Sequence, residues 1–137
     1  MVKVIMGLKG SGKTKKLVDL VQQDAKDEKG AVVCIEKKKN LTTDIPHTVR
    51  LIRADEYGIS GIDMFKGYIA CLHYGNYYIT QIFVYNFYKI IGTSDEALVA
   101  GLLGWLEAFS NANGVTVTLS LSGDAEKASD ALKKYFI

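Results

Sequence analysis

Gly7-Leu8-Lys9-Gly10-Ser11-Gly12-Lys13-Thr14 is the stretch whose residue types and spacing are suited to chemistry. It follows the pattern G-x-x-x-x-G-K-[ST], the spacing of a loop that cradles phosphate groups. Gly7, Gly10 and Gly12 permit backbone angles that a Cβ would forbid, and they let main-chain N–H groups approach an anion closely. Successive N–H groups form a nest for phosphate oxygens. A helix starting directly after the loop adds the positive end of its dipole. In such a loop Lys13 rests on the β- and γ-phosphates of a nucleoside triphosphate, and the Thr14 hydroxyl ligates Mg²⁺.

The flanking sequence supplies the elements that such a loop needs. Residues 2–6 form a short β-rich run ahead of it. A helical pattern follows from about Gly12 to Glu28, with Leu17, Leu20 and Val21 on one face and Gly30 as its stop. A continuous apolar run, residues 31–35, predicts a strand covered on both faces. Further strands are expected at 49–53, 79–85 and 115–121. The last alternates apolar residues with hydroxyls, which predicts a half-exposed edge strand. Its Ser120-Leu121-Ser122 end is placed to approach the phosphates, and Ser122 or Asp124 to cap the helix that follows. Helices are expected from the Ser60–Asp63 capping-box spacing to about residue 73, over 94–111 from Thr93–Glu96, and over 125–135. The 94–111 segment is apolar nearly all round, which predicts burial under a loop or against a second subunit. Gly101-x-x-Gly104 within it is read as packing.

A phosphate site that turns over also needs a carboxylate near its metal, and three strand ends are where one is sought. Glu36 follows the second strand, either facing the ligand crevice or opening a solvated loop. Asp55 and Glu56 follow the third strand, displaced from its tip by Ala54. The fourth strand ends Tyr85-Asn86, where Asn86 is a neutral acceptor without charge. Arg50 and Arg53 are the only arginines against fifteen lysines, so bidentate phosphate clamps in cis have two candidates. The Lys37-Lys38-Lys39 run reads as a solvated face. The polar segment 37–47 is a candidate lid or substrate loop. His47 reads as exposed and idle, and His73 as a helix C-terminal dipole partner.

The Gly7–Thr14 motif and the alternation of strands and helices around it resemble the P-loop NTPase superfamily. The layout is similar to the core of the bacterial-type thymidine kinases and other RecA-like domains. It also resembles a family of short bacterial ATP-binding proteins loosely labelled twitching-motility ATPases. The resemblance implies a three-layer α/β fold with a five-stranded, mostly parallel sheet in the order 5-1-4-3-2. It implies ATP and Mg²⁺ as ligands, with Lys13 and Thr14 as the phosphate and metal residues. Two features of the thymidine kinases, the acidic ending of the fourth strand and a cysteine–zinc lasso, have no counterpart here.

With 137 residues, 48 % apolar and 23 % charged, the chain reads as one domain over 1–137 with its own core. A net charge of +2 gives no argument for a nucleic-acid or membrane surface. No apolar run reaches the roughly 18 residues of a spanning helix. Cys34 and Cys71 lie in apolar runs without a CxxC, which suits free thiols in a cytoplasmic protein rather than a zinc site. The expected function is binding of a nucleoside triphosphate, ATP over GTP because no N-K-x-D guanine motif is present. Hydrolysis is expected to be weak or partner-dependent, with a regulatory role and a protein partner or second copy contacted through the 94–111 helix or the 37–47 loop. The alternatives are an active ATPase using Asp55 and Glu56, and a small-molecule kinase.

Overall fold

The computed structural model describes residues 1–27, 29–41 and 43–137. Five strands, β1 (Val2–Gly7), β2 (Ala31–Glu36), β3 (Arg50–Arg53), β4 (Ile79–Val84) and β5 (Thr116–Ser122), form one sheet in which every pairing is parallel. Five α-helices accompany them: α1 (Lys13–Asp27), α2 (Ile62–Gly75), α3 (Phe87–Ile91), α4 (Glu96–Asn113) and α5 (Asp130–Lys133).

Side-chain alternation along the strands divides the core into two layers. Val4, Val33, Ile35, Ile82, Val84, Val117, Leu119 and Leu121 point to the layer that holds the buried faces of α2, α3, α4 and α5. Ile5, Val32, Cys34 and Phe83 point the other way, against Leu17, Val18 and Val21 of α1. Leu41, Ile45 and Val49 complete that second layer. The segment after β2 is therefore anchored by three apolar side chains, which a free lid would not bury.

The strand order is β1-β5-β4-β2-β3, not the expected 5-1-4-3-2. β5 is interior, between β1 and β4, and not an edge. The hydroxyls in its alternation face α1 and are nonetheless covered: Thr118 and Ser120 are buried. Serine and threonine are small enough to lie under a helix once bonded, and Ser120 Oγ accepts the Asn86 N–H at 2.9 Å. β1 takes the outer position. Its free edge is covered by the C-terminal segment, where Val4 N–H donates to Tyr135 O at 2.8 Å and Ile137 N–H to Val4 O at 3.1 Å.

Several local expectations are also corrected. The Ser60–Asp63 box does not form, because Gly61 is the N-cap, with φ 85°, and no side chain caps α2. At α4 the capping residue is Asp95, whose carboxylate accepts from the Ala97 and Leu98 N–H groups, rather than Thr93. Asp95→Ala should cost about 1 kcal/mol, read from urea unfolding. α4 buries a single face, Val99, Leu102, Leu103 and Leu106, and leaves Leu98, Gly101 and Gly104 exposed. The expected helix over 125–135 is instead a 3₁₀ turn (Ala125–Lys127), an extended residue at Ala128, and α5. Gly30 enters β2 so close to β4 that an added Cβ would lie 2.5 Å from the Tyr78 carbonyl oxygen. Gly30→Ala should destabilise by about 1–3 kcal/mol.

Burial pushes the Cys34 thiol up to about 12, with the Glu36 charge adding to it. Burial, then the hydrogen bond from Tyr135 to the Glu107 carboxylate, pushes the Tyr135 phenol up to about 12. Both groups hold their proton in the folded chain over a range where the unfolded chain releases it. Their contribution to stability is complete below about pH 9 and is lost as pH rises toward 12. Urea midpoints should fall steadily as pH rises from about 9 toward 12. The fall should be smaller in Tyr135→Phe.

Candidate phosphate-binding site

β1 ends at Gly7 and α1 begins at Lys13, so the glycine stretch is the turn that joins them. The Ser11 N–H closes this turn on Leu8 O at 3.0 Å. Gly10 and Gly12 have φ 85° and 87°, the left-handed region that an L side chain resists. Gly7 is constrained by space instead: an added Cβ would meet the Ser11 side chain. Lys16 N–H donates to Gly12 O at 3.0 Å, so the first turn of α1 is already regular at the loop. The N–H groups of that turn have no partner within the helix. A cleft of about 530 Å³ opens here, lined by Gly10, Gly12, Lys13, Thr14, Val18 and Asp44 among others. Lys13 and Thr14 are half-buried, while Leu8, Lys9 and Ser11 are exposed.

The strand neighbours bring further polar groups to the same end of the sheet. Thr14 Oγ1 donates to the Tyr85 hydroxyl at 3.4 Å. Asn86, one residue on, is the only non-glycine residue with positive φ among those described, at 55°. Its N–H is held by Ser120, and its Oδ1 accepts from Ser122 Oγ at 3.3 Å. Asn86 is thus fixed to the end of β5, and Ser120 and Ser122 serve as its supports. Gly123 N–H donates to Gly7 O at 3.1 Å, which ties the end of β5 to the start of the loop.

The carboxylates divide differently from the sequence expectation. Asp55 and Glu56 lie in a 3₁₀ turn after β3, exposed, at the opposite edge of the sheet from β1. Neither residue is among those that line the cleft at Thr14. Glu36 is fully buried, and it holds the chain after β2 rather than facing the cleft. Its Oε1 accepts the N–H groups of Asn40 at 2.8 Å and Leu41 at 3.1 Å, and Oε2 lies 3.7 Å from Arg53 Nε. Arg53 Nη1 also lies 3.6 Å from Glu56, so this arginine is engaged at the far edge.

The acidic residue that does line the cleft is Asp44, from the polar segment after β2. The N–H of Asp44 donates to Leu41 O at 3.0 Å, and its carbonyl accepts from Gln22 Nε2 at 2.8 Å. No motif marks it; only the burial of Leu41, Ile45 and Val49 beside α1 places it. Donors suited to a hard cation here are the Thr14 hydroxyl and the Asp44 carboxylate. Among the described residues no cluster of three or more histidine, cysteine or acidic side chains forms a metal cage. That donor set suits Mg²⁺, which keeps water and phosphate oxygens as most of its ligands, and does not suit zinc.

His47 is exposed. His73 packs edge-on against Tyr77 and Phe109, far along α2 from the glycine turn. No described helix is long and apolar enough to cross a membrane. Compared with known proteins, the chain matches no family model and no curated protein.

Proposed function

We propose that the chain binds a nucleoside triphosphate, ATP before GTP, on the Gly7–Thr14 turn. In this reading Lys13 contacts the phosphates and Thr14 and Asp44 serve Mg²⁺. The bound metal supplies charge neutralisation on the phosphate oxygens. The observation that carries the reading is the turn itself: two left-handed glycines, the start of α1 at Lys13, and a 530 Å³ cleft over both. Turnover is expected to be slow or to require a partner. Phosphoryl transfer depends on positioned charge, and Asp44 is the one acidic residue lining the cleft among the described residues.

Calorimetric titration with ATP and GTP, with and without Mg²⁺, tests this reading. ATP binding strengthened by Mg²⁺ is the expected result. Asp44→Asn should lower the Mg²⁺ enhancement about tenfold, the scale of one charged contact. Asp55→Asn with Glu56→Gln should leave it unchanged. The opposite ranking would return the metal role to Asp55 and Glu56. No binding of either nucleotide would end the proposal.

A further inference from the structure

The chain leaves β2 and β4 in opposite directions. After β2 it packs Leu41, Ile45 and Val49 on the α1 face, whereas after β4 it packs Phe87, Ile90 and Ile91 on the other face. β2 and β4 are adjacent. Neighbouring parallel strands whose connections diverge leave a crevice at their carboxyl ends, and ligands of open α/β sheets bind there. In this chain that crevice is a cavity of about 240 Å³. It is lined by Lys37, Lys38 and Asn40 from the β2 side and Tyr85, Asn86 and Lys89 from the β4 side.

Its chemistry is one-sided. Three lysines line it, and no acidic residue does among the described residues. None of Lys37, Lys38 and Lys89 forms an ion pair with a described residue. Like charges gathered in a partly enclosed space repel one another unless an anion joins them. The walls are also fixed. Glu36, buried beneath, holds Asn40 and Leu41 through their N–H groups. Asn86 is held in its left-handed conformation by Ser120 and Ser122, the kind of strained residue that persists where its surroundings over-determine it. The Asn86 Oδ1 is used by Ser122, which leaves the amide N–H₂ as the free end of that side chain.

We infer that this crevice is a second anion site, separate from the Gly7–Thr14 turn, that takes a small molecule bearing a phosphate or carboxylate group. Lys37, Lys38 and Lys89 supply the charge, and Asn86 and Tyr85 supply directional donors. The volume suits one such group with a few attached atoms, not a polymer backbone. Tyr85 lines this cavity and also accepts from Thr14, so the two sites share one side chain. The inference does not rest on nucleotide binding at the glycine turn.

The test is a titration of the ¹⁵N-labelled chain with pyrophosphate at constant ionic strength, followed through its amide spectrum. Saturable shifts are expected at Lys38, Asn86 and Lys89, and they should persist in Lys13→Ala, where the glycine turn is disabled. They should weaken about tenfold in Lys89→Gln and further in Lys37→Gln with Lys89→Gln, the scale of charged hydrogen bonds. Lys89 is exposed, so the same spectra report that the fold is intact. Shifts confined to Gly7–Thr14 and lost in Lys13→Ala would overturn the inference. So would shifts that sodium chloride reproduces, or that the lysine variants leave unchanged. A single-stranded RNA oligomer that shifts the same amides at a concentration tenfold lower than pyrophosphate would replace the small anion with a polymer.

Discussion

Lys13→Ala should weaken ATP binding by about 30-fold or more, with the urea midpoint unchanged. The lysine is half-buried at the first position of α1, in the cleft beside Thr14 and Asp44. It makes no ion pair with any described residue, so the folded chain loses little when it is removed. A charged contact to phosphate in a partly desolvated cleft is worth roughly 2–3 kcal/mol, which sets the size of the expected loss. Lys13→Arg should recover only part of the affinity, because a planar guanidinium does not replace a compact ammonium at a point contact. Calorimetry measures the affinity and urea unfolding the stability. Unchanged affinity in Lys13→Ala would move the nucleotide off this turn. A matching loss of stability would make Lys13 a residue of the fold rather than of the site.

Glu36→Ala should destabilise the chain by about 3 kcal/mol, the scale for leaving two backbone N–H groups without their buried charged acceptor. Three groups depend on this carboxylate: the N–H groups of Asn40 and Leu41 and the Arg53 guanidinium. Leu41 is 1 % exposed, so its N–H would be left without water to replace the lost acceptor. Glu36→Gln should recover roughly half of the loss, since an amide oxygen accepts the same N–H groups without the charge. Urea unfolding gives the energies, and hydrogen exchange at Leu41 should quicken in Glu36→Ala more than exchange in β5. A cost under about 1 kcal/mol would mean that water reaches the segment after β2 once the carboxylate is gone. The anion crevice between β2 and β4 should weaken in the same variant, because Lys37, Lys38 and Asn40 hang from this anchor.

The glycine turn was legible because every requirement for it is local. Residue type, spacing, a strand before it and a helix after it all lie within some thirty residues. Elements with strong periodicity appeared close to their expected bounds for the same reason. The short α3 was not legible, since five residues, Phe87–Ile91, carry too little pattern to separate from a strand end. Caps were misassigned where two polar residues compete for one helix start. At α4 both Thr93 and Asp95 are suitable, and the positions of the Ala97 and Leu98 N–H groups settle the matter in favour of Asp95.

The sequence by itself determined that this is a parallel α/β chain with a glycine-rich turn between its first strand and its first helix, because glycine placement and hydrophobic period act over short distances. Strand order was decided only in three dimensions. Period-two alternation in β5 reports that two faces differ, not that one faces water, and small hydroxyls, Ser120 bonded to the Asn86 N–H among them, let that strand lie in the interior. The role of each carboxylate was decided in the same way. Asp55 and Glu56 follow a strand that the sheet places at its far edge. Glu36 is turned inward to hold two backbone N–H groups. Asp44, without any motif, reaches the glycine turn because Leu41 and Ile45 bury themselves beside α1. Burial of those side chains is a long-range contact, and no local pattern encodes where it carries the polar residue between them.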